Sequence, residues 1–296
     1  MEFKHNDDPG DQNQEQMRSF DGAKSAVDEP LTPWQIVQLA RHPDRPVMQD
    51  YIVGVFSEFI ELHGDRLYGD DPALIGGFAT IDNRKVMLIG HNKGKNIDER
   101  IKRNFGSAKP EGNRKALRLM RLAEKFNIPI VSFIDTQAAF AGKEAEERGQ
   151  HESIARNLYE MAGVNVPIVV VVTGEGGSGG ALCIGVGDAV CMLSNAIYSV
   201  IPPEGCAAIL WRDSSNAPLA AEAMKLTAPS LLELGVIDEI VVEPSGGAHI
   251  DPYGAALAVR SAIIKHLEKL DGVPTDILLA RRFDKFARLG RFTAIN

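Results

Sequence analysis

Gly174-Glu175-Gly176-Gly177-Ser178-Gly179-Gly180-Ala181 follows directly on Pro167-Ile168-Val169-Val170-Val171-Val172-Thr173, and the junction between the two decides the fold. The first stretch is apolar and β-branched without alternation, which reads as a strand buried on both faces. A helix is expected to begin at Ser178 and run to Val186. Each glycine weakens such a start by roughly 0.5–1 kcal/mol relative to alanine. So many together make sense where another group must approach the backbone closely or where φ must be positive. N–H groups at a helix N-terminus then form a site for negative charge, permanent or developing. Tight helix-on-strand packing with no ligand is the plainer reading.

Outward from this junction the chain alternates strand and helix. Ala73 to Ile81 and Lys85 to His91 read as two strands joined by Asp82-Asn83-Arg84. Asn113 to Phe126 carries Ala116, Leu117, Leu119, Met120 and Ala123 at helical spacing, and Ile128 to Ile134 is a short buried strand. Glu144 to Met161 reads as one helix. Val190 to Leu193, Ala196 to Ile201 and Val236 to Val242 are further strands. Cys206 to Trp211, Pro218 to Leu226 and Pro252 to Leu270 are further helices. Alternation with buried strands means α/β. Strands that come in pairs before each helix suit a spiral β-β-α fold better than a plain dinucleotide-binding series.

The ends read differently. Residues 1–30 hold few large apolar groups and are expected to form a mobile polar tail. From 31 to 64 two helices are predicted: Thr32 capping Pro33-Trp34-Gln35, then Tyr51, Val55, Phe56, Phe59, Ile60 and Leu62 at helical spacing up to Gly64. The core is expected over about 73–243, followed by C-terminal helices over about 252–296.

A formal net charge of −8 argues against a nucleic-acid or membrane-surface protein. The polar first residues do not read as a signal peptide, and no run is long and apolar enough to span a membrane, so a cytoplasmic location is expected. Cys183, Cys191 and Cys206 lack CxxC spacing and are expected to be buried free thiols, with no metal on this chain.

Three chemistries fit the glycine cluster. Residues 174–179 match GxGxxG, but the following helix is short and the match sits in mid-chain. Residues 176–180 match GxSxG around Ser178, with Asp238 and His249 later in the order of a hydrolase triad. In the third reading, backbone N–H groups form an oxyanion hole.

Several segments resemble one family, the carboxyltransferase alpha subunits of bacterial-type acetyl-CoA carboxylase. They are LTPWQIVQLARHP (31–43), GHNKG (90–94), RNFGSAKPEGNRKALRLM (103–120), AEERGQ (145–150), GEGGSGGA with LCIGVGD (174–188), YSVIPPEGCAAILW (198–211) and PLAAEAMKLTAP (218–229). They stand in the family's order over residues 31–270. The resemblance implies a crotonase-like (ClpP-like) β-β-α superhelix with flanking helices. It implies transfer of a carboxyl group from carboxybiotin on a biotin carboxyl carrier protein to acetyl-CoA, giving malonyl-CoA for fatty acid synthesis. Loss of CO2 from carboxybiotin would leave a ureido enolate, with biotin then acting as base. The resemblance places the oxyanion donors at Gly179, Gly180 and Ala181, has Gly176 and Gly177 shape the loop, and sets Ala138, Ala139 and Phe140 on the biotin side. It also implies a beta partner carrying a zinc ribbon and most of the acyl-CoA site, in an α₂β₂ assembly.

Two departures stand out. Where the family carries DTPGAYPG, this chain has Asp135-Thr136-Gln137-Ala138-Ala139-Phe140-Ala141-Gly142, so strain at Ala138 and a remodelled loop are expected. The long paired helices that relatives usually carry before LTPWQ are replaced by the polar tail. A partner-binding paralogue with weakened catalysis is the alternative these changes raise. The basic residues from Lys93 to Arg121 suit either a phosphate-bearing ligand or a solvated helix face. His91, His151 and His249 have no metal-ligand spacing.

Overall fold

β2 (Leu74–Ile81) and β3 (Arg84–His91) form the predicted hairpin, antiparallel from Leu74 opposite His91 to Ile81 opposite Arg84. The connection is only Asp82-Asn83, with φ of 50° and 60°. A two-residue hairpin loop needs such left-handed residues, and Asp and Asn tolerate them best after glycine. This computed structural model describes residues 30–290, of which 32–290 form one unit. The expected tail over 1–30 and the end of the C-terminal segment, 291–296, fall almost wholly outside the described residues.

From β3 the sheet continues in parallel through β4 (Ile130–Thr136), β5 (Ile168–Gly177), β6 (Ala189–Leu193) and β8 (Glu239–Val241), while β1 (Glu58–Glu61) closes the other edge antiparallel to β2. β5 is buried along its whole length. Its first half pairs with β4 and β6. After a register shift between Ile134 and Thr136, its last residues, Glu175 to Gly177, pair with β7 (Ile197–Ser199). The chain thus passes from one ladder into a second at the glycine cluster, as a β-β-α spiral requires.

Helices α4 (Pro110–Phe126), α6 (Gln150–Ala162) and α11 (Pro252–Leu270) flank the sheet. α4 buries Ala116, Leu119, Met120 and Ala123, the apolar stripe read from its spacing, on the face of β2 and β3, in one core with Leu74 and Ile89. A satellite core joins α1 (Pro33–Ala40) to α9 (Ala217–Met224) through Ile36, Val37, Ile197 and Ala221. Thr32 caps α1 in a reciprocal box with Gln35, as expected. The short helices α3 (Ile97–Lys102), α5 (Lys143–Glu147), α7 (Ser178–Leu182), α8 (Pro203–Trp211) and α10 (Ala228–Glu233), and the C-terminal α12 (Thr275–Ala287), complete the described residues. None of their helices is long and apolar enough to cross a membrane.

Several expectations are corrected. The second N-terminal helix does not reach Gly64. α2 (Met48–Val55) stops at Val55, and Glu58–Glu61 pairs with β2 instead, leaving Ile60 exposed. A free sheet edge outcompetes a helical pattern carried by only a few residues. The helix predicted over 144–161 is broken at Gly149, whose φ is 82°. β5 runs four residues further than the apolar stretch, and the helix after it ends at Leu182 rather than Val186.

Candidate functional site

β5 ends at Gly177, and α7 begins at Ser178 with a left-handed φ of 53°. The chain therefore turns sharply at the top of the buried strand. The first N–H groups of α7 belong to Ser178, Gly179 and Gly180, for which a first helical turn has no acceptor in its own ladder, and Ala181 follows as the first N–H that the ladder engages. α7 is held from beneath by buried amides. Asn157 Nδ2 donates to the Cys183 carbonyl at 3.1 Å and to the Asn113 carbonyl at 2.9 Å. Asn113 in turn donates to Gln150 and Ser153.

The loop after β4 lies directly on this turn. A β-carbon on Gly177 would overlap the Gln137 carbonyl, and one on Gly180 would stand 2.5 Å from the carbonyl carbon of Ala138. At Gly179 a β-carbon would meet nothing closer than Ile154 at 3.4 Å. The glycines at 177 and 180 are thus required by backbone-to-backbone approach. Thr136 Oγ1 donates to the Ala138 carbonyl at 2.8 Å, and the Phe140 N–H donates to the Ala108 carbonyl at 3.1 Å. Ala138 is not among the residues with positive φ, so the expected strain there is absent. Phe140 lies under Lys109 Nζ, 4.9 Å from the ring centre. The residues carried over from the resemblance, Ala138 to Phe140 and Gly176 to Ala181, thus lie on two segments that adjoin through Gly177 and Gly180.

Sequence reading missed the ionic clamp that fixes both segments. Lys93 Nζ lies 2.7 Å from Asp135 Oδ1 and 3.1 Å from Glu175 Oε1, and Asp135 accepts the Glu175 N–H at 2.9 Å. Arg41, at the end of α1, donates to Glu175 at 2.8 Å and to Glu204 at 2.6 Å. Arg45 holds the Thr173 carbonyl at 2.8 Å and the buried Glu243. Burial alone would raise the Glu175 carboxyl, yet the charges of Lys93 and Arg41 outweigh it and hold the group below the usual range. Burial alone would lower the Lys93 ammonium, yet Asp135 and Glu175 outweigh it and push the group upward. The segment RNFG packs on the clamp from outside: Asn104, Phe105 and Gly106 all have positive φ, and a β-carbon on Gly106 would stand 2.8 Å from the Asp135 carbonyl. The sequence blocks quoted above contain Arg41, Lys93, Asp135, Glu175 and Glu204, but nothing in their spacing joined them.

The other candidates separate. Asp238 accepts from the Val190 N–H and pairs with Lys285, while His249 stacks on His42 at 3.9 Å. Neither is joined to Ser178, whose hydroxyl has no hydrogen-bond partner among the described residues, so no triad is assembled. The short α7 also gives no dinucleotide-binding unit. Most of the basic run is consumed internally: Arg114 by Asp65, Lys115 by Asp70, Arg121 by Glu160, and Arg103 by the Pro72 carbonyl. His91 is fully buried beneath the turn. Burial first, then the charge of Lys93, pushes its imidazole down to about 3, although the backbone of Gly180 and Phe133 favours the protonated form. Cys183 and Cys191 are buried free thiols as expected, and Cys206 is half-buried.

Beside the turn an apolar cavity of about 580 Å³ opens between Ser178, Gly179, Leu182, Tyr198, Ile201 and Phe286. The turn itself offers backbone donors, small residues and no ionisable side chain.

Comparison with known proteins agrees with this geometry. A family described as acetyl co-enzyme A carboxylase carboxyltransferase-like matches residues 4–290. The chain is 54% identical over 275 residues to the acetyl-coenzyme A carboxylase carboxyl transferase subunit alpha of Geobacter metallireducens, covering 93% of this chain and 86% of that one. It is 57% identical over 260 residues to the subunit of the same name from Edwardsiella ictaluri, covering 88% and 82%. Among solved structures, transcarboxylase 12S aligns with a TM-score of 0.62 at 19% identity, over 81% of this chain but 46% of that one. A Pseudomonas malonate decarboxylase hetero-tetramer aligns with a TM-score of 0.60 at 16% identity, over 74% and 89%. These structures share the fold, here a crotonase-like superhelix.

Proposed function

Since this chain belongs to the acetyl-CoA carboxylase carboxyltransferase family, as an alpha subunit, we propose that its glycine turn and the facing 138–140 loop form the half-site at which a carboxyl group passes from carboxybiotin to acetyl-CoA. The observation that carries this reading is the backbone contact of Gly177 and Gly180 with residues 137–139. It fixes two main-chain segments against each other with no nucleophile or base between them. Backbone donors of Gly179, Gly180 and Ala181 suit an oxygen on which negative charge develops. Gly176 and Gly177 shape the turn, and Ala138, Ala139 and Phe140 give the small and flat surface a bicyclic ureido ring needs. The neighbouring apolar cavity suits the same ring and its tether. When bound, carboxybiotin supplies the carboxyl group and a basic nitrogen. The chain's task is to orient the ring, exclude water and stabilise charge through fixed dipoles.

The clamp of Lys93, Asp135, Glu175 and Arg41 keeps those dipoles in place without entering the chemistry. The partners in this reading are a zinc-ribbon beta subunit, a biotin carboxyl carrier protein and acetyl-CoA, assembled as α₂β₂ in the cytoplasm, with biotin held by the carrier. The test is to co-express the chain with its beta subunit and follow malonyl-CoA-dependent carboxylation of free biotin. Turnover that collapses on Gly180→Val, with the complex still intact, supports the assignment. A stable complex without turnover in the unaltered protein refutes it and leaves a partner-binding subunit.

A further inference from the structure

Cys191 of β6 and Glu239 of β8 are register partners in the parallel ladder, so both side chains leave the sheet on the same face. α11 places His266 over that face, with Nε2 2.8 Å from Glu239 Oε2. The sulfur, one carboxylate oxygen and one ring nitrogen all lie within 4.8 Å of one another. Cys191 and His266 are buried and Glu239 is half-buried. The transfer chemistry uses none of the three, and they sit on β6, β8 and α11, none of which supplies a residue of the clamp. Scattered through the chain, they carry no ligand spacing, which is why the sequence predicted no metal.

We propose that Cys191, Glu239 and His266 bind a divalent cation of Zn²⁺ type, with water as the fourth ligand. Thiolate, imidazole and carboxylate are the three ligand types zinc takes in proteins, and three protein ligands with one open position make a recurrent arrangement. The charges balance: a thiolate and a carboxylate neutralise a dication, so the occupied site buries no net charge. A cavity of about 290 Å³, lined by Ala189, Asp238 and His266 among others, reaches the cluster from the His266 side.

Binding exchanges partners in a balanced way. The cation displaces the thiol proton of Cys191, which leaves to solvent, and the proton that His266 Nε2 holds toward Glu239 moves to Nδ1, so that the ring binds as neutral imidazole. The cation also takes over Glu239 from its bonds to His266 and to Lys265, whose ammonium is half-exposed and free to turn outward. The thiol is pushed up to about 12, by burial first and then by Glu239 and Asp238, against the opposing charges of Lys285 and Lys265. Because the cation competes with the thiol proton, affinity rises with pH. Bound metal would tie edge strand β8 and helix α11 to the interior strand β6.

The test uses the full chain purified alone, so that no beta subunit contributes metal, stripped with a chelator and titrated with Co²⁺. One equivalent should bind, with a thiolate-to-cobalt charge-transfer band and the intense visible bands of a tetrahedral site, and Zn²⁺ should displace it. Cys191→Ser should abolish the charge-transfer band. His266→Gln and Glu239→Gln should each weaken binding by more than the ~10–100-fold typical of losing an outer-shell partner. Absence of the thiolate band in the unaltered chain overturns the proposal, and that measurement depends on no variant folding. A band that survives Cys191→Ser, which would assign it to Cys206, overturns it equally.

Discussion

A β-carbon at Gly180 would collide with the main chain of Ala138 and Ala139, whereas at Gly179 it would only touch Ile154. The two neighbours should therefore respond differently. Gly180→Ala is expected to displace the 137–139 loop and lower kcat in the paired enzyme by ~10²–10³, the cost of losing one oxyanion donor. Gly179→Ala should retain most activity; equal losses at both positions would deny that close approach is what the glycines supply. His91 makes a second prediction. Its folded pKa of about 3 lies below the ordinary 6.5, so between those values the unfolded chain binds a proton that the folded chain does not. Stability is expected to fall as pH drops below 6.5, by up to about 1.4 kcal/mol per pH unit. Urea unfolding at pH 7, 6 and 5 measures the slope, and His91→Leu should flatten it. The close backbone approach at Gly177 and Gly180 was legible in sequence, because so many glycines together read as room for another group. His91 was not, since a histidine at the last residue of a strand reads the same whether it is buried or wet.

Among the elements, α12 is anchored chiefly by Arg282, with Lys285 on Asp238 and the buried Leu278 beside it. Arg282 is almost wholly buried, pairs with Asp188 at 2.7 Å, and donates to the carbonyls of Met161, Val164 and Val166. Arg282→Met should leave Asp188 buried and uncompensated, costing about 3–5 kcal/mol in equilibrium unfolding. A loss below about 1 kcal/mol would show that α12 docks by its apolar face alone. Element identity was legible wherever periodicity was long, as in α4 and α11. It failed over 56–62 and at Gly149. Strand pairing at a free edge and a left-handed break inside a helical run depend on neighbours remote in sequence.

Across the whole molecule, α8 and α9 keep an apolar surface uncovered. Ile209 is 72% and Leu210 62% exposed on α8, and Leu219 is 62% exposed on α9. Large apolar side chains left open in adjoining helices mark a contact surface. Replacing Ile209 and Leu210 together by Lys should weaken association with the beta subunit at least tenfold in sedimentation equilibrium while leaving the isolated chain folded. Unchanged association would place the interface elsewhere. By itself the sequence determined the α/β class, the buried strand before the glycine turn, and the family, because local hydrophobic pattern and a dense glycine run leave few solutions. Only the tertiary structure decided that Gln137 to Ala139 press on that turn, that Lys93, Arg41 and Glu175 clamp it, and that Cys191, Glu239 and His266 meet. Each of those juxtapositions is made between strands and helices distant along the chain. Charge pairing and close approach act through space, and no spacing along a sequence encodes them.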